Sequence, residues 1–317
     1  MIYTVTLNPA IDKTAYIPGF SAGSVNRVQT LREDAGGKGI NVSKCLKTLG
    51  TKSVAAVILA GETGKYLETL LQKEGLEILS VQAQGQTRTN LKIVDQKSGQ
   101  NTDINEPGPT VDESVLQSLC NTLCEKIRPG DIVILSGSLP KGAAPETYRL
   151  WTEQFHTIGA KVILDADGAP MAEGIKAAPD MVKPNETELA RLLNTPLDTH
   201  DQILAAGKAL LAMGISNVVI SMGGDGAVFL WKDESCRAES LSVPVQSTVG
   251  AGDSVVAAMA YGLEKNLPRQ EQIALAMAMG AASVMQSGSQ APDLSTVQTL
   301  SRQVQIYAFP RGEGGCP

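Results

Sequence analysis

The sequence predicts an α/β protein built on a central, mainly parallel sheet with helices on both faces. Three observations predict it. Strand-like runs recur along the chain, at residues 2–7, 54–59, 131–137, 161–167, 180–185 and 217–223. Several, such as IVIL at 132–135, are continuously apolar and rich in β-branched residues, the pattern of strands covered on both faces. Between them lie amphipathic stretches of helical length, at 40–50, 64–75, 111–127 and 201–214.

Two segments break the alternation. Residues 8–35 are long, polar and turn-rich, and residues 86–107 read as a hairpin turning at Lys97, Ser98 and Gly99. Neither supplies a crossover helix, so together they are expected to form a small separate sheet, a lid over a site. Residues 1–309 are expected to form one domain carrying these lid segments, with the tail at 310–317 (PRGEGGCP) lacking any packing pattern and disordered.

The composition narrows the function classes. The chain has 317 residues, 43% hydrophobic and 19% charged, which is ordinary for a globular protein. A net charge of −6 without a long basic run argues against a nucleic-acid partner. No apolar run has membrane-spanning length, and the opening MIYTVTLNPAID has a strand pattern rather than that of a signal peptide. Five cysteines show no disulfide or metal spacing, so a reduced, cytoplasmic protein is expected. Cys120 and Cys124, one helical turn apart, read as buried free thiols rather than a thiolate pair. His156 and His200 lack the context of a zinc site or a histidine-based triad.

The chemistry-bearing stretches begin with STVGAGDSVVAAMAYGL at 247–263. Val255, Ala258, Met259, Gly262 and Leu263 fall at helical spacing, and Val256, Ala257 and Ala260 make the helix apolar on most sides. Its start, Gly250-Ala251-Gly252-Asp253, reads in two ways. It is either an anion cradle of bare amides with a carboxylate beside it, or a glycine turn with Asp253 as the N-cap. A second cluster, AGGKGIN at 35–41, also opens a helix, with Lys38 as a point charge and the Asn41 amide free to bond a hydroxyl. Its plain alternative is a strand-to-helix turn. SGSLPKG at 136–142 follows a strand, where open α/β sheets bind ligands. In MVKPNETE at 181–188, Asn185 and Glu188 stand three apart, able either to hold a hydrated magnesium ion or to close a capping box. SMGGDGAVF at 221–229 can grip a nucleotide or simply turn a hairpin. GxxxxGK[ST] and a convincing GxGxxG are both absent.

Six motifs then run in order: LNPAID (7–12), AGGKGIN (35–41), SGSLP (136–140), KPNETE (183–188), SMGGDGA (221–227) and STVGAGDS (247–254). In this set the chain resembles the PfkB group of sugar kinases in the ribokinase-like superfamily, and in the first two motifs its phosphosugar-kinase branch. The resemblance implies a three-layer ribokinase-like sandwich with a β lid, ATP and Mg2+, and phosphoryl transfer to a ketohexose phosphate. TDINEPGP (102–109) points to fructose 1-phosphate ahead of tagatose 6-phosphate and fructose 6-phosphate. It implies that Asp253 is the general base and that the Gly250, Ala251 and Gly252 amides form the anion hole. Asn185 and Glu188 would order magnesium and phosphates, with Lys183, Ser221, Gly223, Gly224 and Gly226 along the nucleotide. Asp12, Gly37, Lys38, Asn41, Arg88 and Ser136 would hold the phosphosugar, joined less clearly by Arg27. Lids that pair between subunits imply a homodimer. A sugar-phosphate sensor without turnover is the alternative from another class.

Overall fold

The computed structural model describes residues 1–309; the expectation for 310–317 lies outside them. The chain opens with β1 (Ile2–Thr6), β2 (Ala10–Ile17) and β3 (Thr30–Gly36), followed by α1 (Lys38–Thr48), β4 (Ser53–Ala60), α2 (Gly61–Lys73) and β5 (Glu77–Ala83). Next come β6 (Arg88–Asp95), β7 (Asn101–Asn105), α3 (Glu113–Lys126), β8 (Ile132–Ser136), α4 (Thr147–Ile158) and β9 (Lys161–Asp165). The chain continues through α5 (Gly168–Gly174), β10 (Met181–Val182), α6 (Glu186–Leu193), α7 (His200–Ala212), β11 (Asn217–Ser221), β12 (Ala227–Trp231) and β13 (Ser235–Ala238). It closes with α8 (Ala251–Lys265), α9 (Arg269–Val284), α10 (Leu294–Ser301) and β14 (Ile306–Ala308).

The large sheet has the order β14-β13-β12-β11-β10-β9-β8-β1-β4-β5, parallel from β11 to β5 and antiparallel along its β12–β14 edge. Side chains alternate across it. Val133 and Leu135 pack with Leu116, Trp151 and Phe155 on one face, while Ile132 and Ile134 pack with Val42, Val256 and Met259 on the other. Three layers result, helix–sheet–helix, with strands buried on both sides. The run at 180–185 yields only the two-residue β10, because Pro184 has no N–H to extend the ladder.

The second sheet, ordered β3-β2-β6-β7, is built from the two segments that lack a crossover helix. Its hairpin turn is fixed by Asp95. The carboxylate accepts from Ser98 Oγ, Lys97 N and Gly19 N, and these bonds, the Ser98 hydroxyl first, pull its pKa down to about 2. At the root of this lid Ile11 and Ala35 pack on Ile40, Val57 and Leu67. Its far side leaves Val25, Val28, Leu31 and Ile104 exposed.

Candidate active site

The carboxyl ends of β1, β8, β9, β10 and β11 lie along one edge of the large sheet, and α1, α6 and α8 begin there. Such an edge is where open α/β sheets gather ligands. The start of α8 is decisive. Its N-cap is Gly250, and no side chain caps it. Asp253 sits in the first turn without bonding its own backbone, which rules out the N-cap reading. Among the described residues the Gly252 and Asp253 amides have no hydrogen-bond partner, and Ala251 N reaches Thr248 O only at 3.4 Å. Unpartnered amides at a helix start carry partial positive charge and suit an anion.

Asp253 is 6% exposed, and its Oδ2 accepts from Asn41 Nδ2 at 2.8 Å. Burial foremost, and then the charge of Asp165, push its pKa up to about 6; Lys38, the Asn41 bond and Lys183 pull the other way. The carboxylate is therefore ionised near neutrality yet basic enough to take a proton. Asn41 has a second role beside the expected one. Its Nδ2 holds the carboxylate, 212 residues away in sequence, while its Oδ1 has no partner among the described residues.

Behind Asp253 stands Asp165, which no motif marks. It ends β9, is fully buried, and lies 3.4 Å from Lys38 Nζ and 3.5 Å from Lys183 Nζ. Burial alone would raise the Asp165 pKa; Lys183 and Lys38 reverse this and hold it below the ordinary carboxylate value. Burial works against the Lys38 charge, but Asp165, Asp253 and Glu188 outweigh it and raise the Lys38 pKa. Lys38 and Lys183 were expected on different ligands, and the structure brings them to one carboxylate.

On the sugar side, α1 starts at Gly37, whose φ of 124° favours glycine; a Cβ there would meet Thr6 Cγ2 at 2.6 Å. Thr6 Oγ1 accepts from Ile40 N at 3.1 Å, fixing the turn. A cavity of about 260 Å³ lies between the lid and the residues preceding α8, lined by Asp12, Lys13, Asn90, Lys92, Val249 and Ser289. Burial raises the Asp12 pKa, while the Asn90 amide, 2.9 Å from Asp12 Oδ1, opposes the rise. Arg88, expected to hold the phosphosugar, spends part of its guanidinium on the chain itself. It donates to Asn8 O at 2.9 and 3.2 Å and to Glu106 O at 3.2 Å, pinning the lid to the body with the rest of the fork unused. Ser136 does not reach the cavity: it is fully buried and its Oγ has no partner. The exposed hydroxyl is that of Ser138, whose Oγ accepts from Asn8 Nδ2 at 3.4 Å. Arg27 is exposed on the β2–β3 loop.

On the nucleotide side the capping box is real. Asn185 Oδ1 accepts from Glu188 N at 2.8 Å, and Glu188 Oε2 accepts from Asn185 N at 2.9 Å. Ser221 lies beside it, its N–H on Pro184 O at 3.1 Å. Gly223 and Gly224 form an open 3-10 turn between β11 and β12. Gly226 serves packing: a Cβ there would stand 2.0 Å from Ala238 O. Among the described residues no group of three acidic, histidine or cysteine side chains could hold a metal. A larger hollow of about 1100 Å³ lies at the opposite edge of the sheet, near Asn217 and Trp231, and its Arg269 is already paired with Asp233 and Glu234. Among the described residues it is lined by no buried acid and by no part of the lid, so the chemistry is assigned to the lidded cleft.

A lidded cleft that joins a buried carboxylate, open amides at a helix start and paired lysines at the carboxyl edge of such a sheet defines a phosphotransferase of ribokinase-like fold. The model of the pfkB family of carbohydrate kinases matches residues 5–296, and the chain belongs to that family. It is 38% identical over 306 residues to a 1-phosphofructokinase of Haemophilus influenzae, covering 96% of this chain and 97% of that one. To the 1-phosphofructokinase of Xanthomonas campestris pv. campestris it is 40% identical, with 86% of each chain covered. The tetrameric inhibited form of phosphofructokinase-2 from Escherichia coli superposes with a TM-score of 0.89 at 30% identity, covering 95% of this chain and 98% of that one.

Proposed function

We propose that this sugar kinase transfers the terminal phosphoryl group of ATP to fructose 1-phosphate, giving fructose 1,6-bisphosphate. The observation that carries the reading is the buried Asp253 carboxylate beside the unpartnered Gly252 and Asp253 amides, on the turn that begins just after Val249 of the lid cavity's lining. The names of the relatives at 38% and 40% identity favour this acceptor over tagatose 6-phosphate and fructose 6-phosphate. Phosphoryl transfer asks a protein mainly for alignment and charge stabilisation. Asp12 and Asn90 accept and donate bonds to the sugar hydroxyls. Lys92, held loosely by Asp103 at 3.5 Å, is the cavity's cation for its phosphate, whereas Lys13 is already paired with Glu33 at 2.8 Å. Asp253 receives the proton of the acceptor hydroxyl, a transfer its raised pKa makes easier. The first-turn amides of α8 stabilise charge on the moving phosphoryl group, and the lid keeps out water as a competing acceptor. Magnesium, when bound, neutralises nucleotide oxygens. The residues fit an ion that keeps its waters, because Glu188 Oε1 remains outside the capping bonds and can accept from a metal-bound water, while Asn185 Nδ2 can donate to a nucleotide oxygen.

The exposed Val25, Val28, Leu31 and Ile104 on the lid, with the free edges of β3 and β7, support a homodimer formed through that sheet, in a cytoplasmic protein. A panel of the three sugar phosphates, read by coupled ADP release, tests the substrate. The highest kcat/KM is expected on fructose 1-phosphate. Equal or better turnover of tagatose 6-phosphate overturns the choice, and binding without turnover would make the protein a sensor.

A further inference from the structure

Asp165 stands at the centre of the cleft, and none of the steps above uses it. We propose that Asp165 is a positioning residue that holds Lys38 and Lys183 on the two flanks of the transferring phosphoryl group, an inference that rests on the phosphoryl-transfer reading of the site.

The sheet puts Asp165 there. Leu164 pairs with Val182 in the parallel β9–β10 ladder, so the residues that follow, Asp165 and Lys183, are neighbours. Along β9, Ile163 packs toward α8 and Leu164 toward the opposite layer, which returns Asp165 to the side of α1 and α8. Its Oδ2 lies 3.4 Å from Lys38 and its Oδ1 3.5 Å from Lys183. Neither oxygen makes a hydrogen bond to any other described group, so the two ammonium groups are what compensates this buried charge. The separations are longer than the ~2.8 Å of a tight charge-assisted bond, leaving N–H groups to turn toward phosphate oxygens.

Each lysine also faces a different part of the cleft. A Cβ on Gly252 would lie 3.0 Å from Lys183 Nζ, so that ammonium abuts the open start of α8. Lys38 lies over Gly137, in the loop after β8. Without Asp165 two like charges would face one pocket with no counter-charge between them, and their repulsion would drive the two ammonium groups apart. With it, the four charges of Lys38, Lys183, Asp165 and Asp253 balance before either substrate arrives. Asp253 thus senses Lys38 from α1, Lys183 after β10 and Asp165 from β9. Glu188 of α6 acts on Lys38, and Cys45 of α1 stays neutral beside Ser254.

The test uses the full chain with its best phosphosugar and ATP, with Asp253→Asn alongside. Asp165→Asn keeps the shape and removes the charge. It is expected to lower kcat roughly 10- to 100-fold, and the same change made on Lys38→Met is expected to cost roughly threefold or less, because the two residues act as one unit. Removal of the like charge also moves the acid limb of kcat/KM, set by Asp253, to lower pH. A role in packing alone would give additive losses and an unmoved limb. Asp165→Glu retains the charge one methylene out of place, and is expected to lose roughly tenfold in kcat with the acid limb unmoved; it serves where the asparagine variant does not fold. Wild-type turnover by folded Asp165→Asn or Asp165→Glu, or additive losses with Lys38→Met, overturns the inference while Asp253→Asn remains inactive. Turnover retained by Asp253→Asn overturns the reading beneath it instead.

Discussion

Helices α6 and α8 begin in the same cleft, yet their first turns are completed in opposite ways. At α6, Asn185 and Glu188 bond each other's backbone, and the start of the helix is closed by its own side chains. At α8 the cap is a glycine, and Asp253, which has the residue type and position to bond the backbone, is drawn aside by Asn41 from another helix. The first arrangement stabilises a helix; the second leaves amides and a carboxylate for something outside the chain. What separates a ligand site from a cap is therefore the partner that each polar side chain has, more than the spacing of polar residues.

Breaking the open start should have the largest effect. Asp253→Asn is expected to lower kcat by about two to four decades, the range for a positioned base, while calorimetry shows sugar binding retained. The same change should stabilise the fold at alkaline pH. The Asp253 pKa is raised from 3.8 to about 6, so the native state favours the protonated form. That contribution is complete below the unfolded value and is lost as pH rises through about 6. Urea unfolding should find the asparagine variant more stable at pH 8, by on the order of 1–3 kcal/mol, and equal to the wild type near pH 3.

Gly252→Ala comes next. Alanine suits a helix start, but its Cβ would stand 3.0 Å from Lys183 Nζ inside the cradle. A fall in kcat of roughly 10- to 100-fold with an unchanged melting temperature is expected. A smaller effect follows from freeing the base. The Asn41 bond lowers the Asp253 pKa, so Asn41→Ala should move the acid limb of kcat/KM upward and reduce kcat roughly tenfold. The closed start sharpens the contrast from the other side. Asn185→Ala should cost about 1 kcal/mol of unfolding free energy, the usual value of an N-cap, and Asn185→Asp should restore most of it.

The layers of the fold were legible because strands buried on both faces must be apolar throughout, as Ile132–Leu135 are. The lid was legible as two segments without a crossover helix. At the site, glycine clusters betrayed the starts of α1 and α8, since bare backbone has few other uses there. Three features were not legible. Asp165 ends an apolar strand with no glycine or spacing to mark it; the available signal is an acid at the last position of the run KVILD, on the side of α1 and α8. The Asn41–Asp253 bond joins helices far apart in sequence. Ser136 and Ser138 lie on the same strand exit, and only packing decides which hydroxyl is open.

The most direct measurement is the position of the terminal phosphoryl group in a crystal structure with fructose 1-phosphate and a non-hydrolysable ATP analogue. The account predicts it within about 3 Å of the Gly252 and Asp253 amides, with the Asp253 carboxylate at the acceptor hydroxyl. A terminal phosphoryl seated at the start of α6, with the amides of α8 left to water, would contradict it.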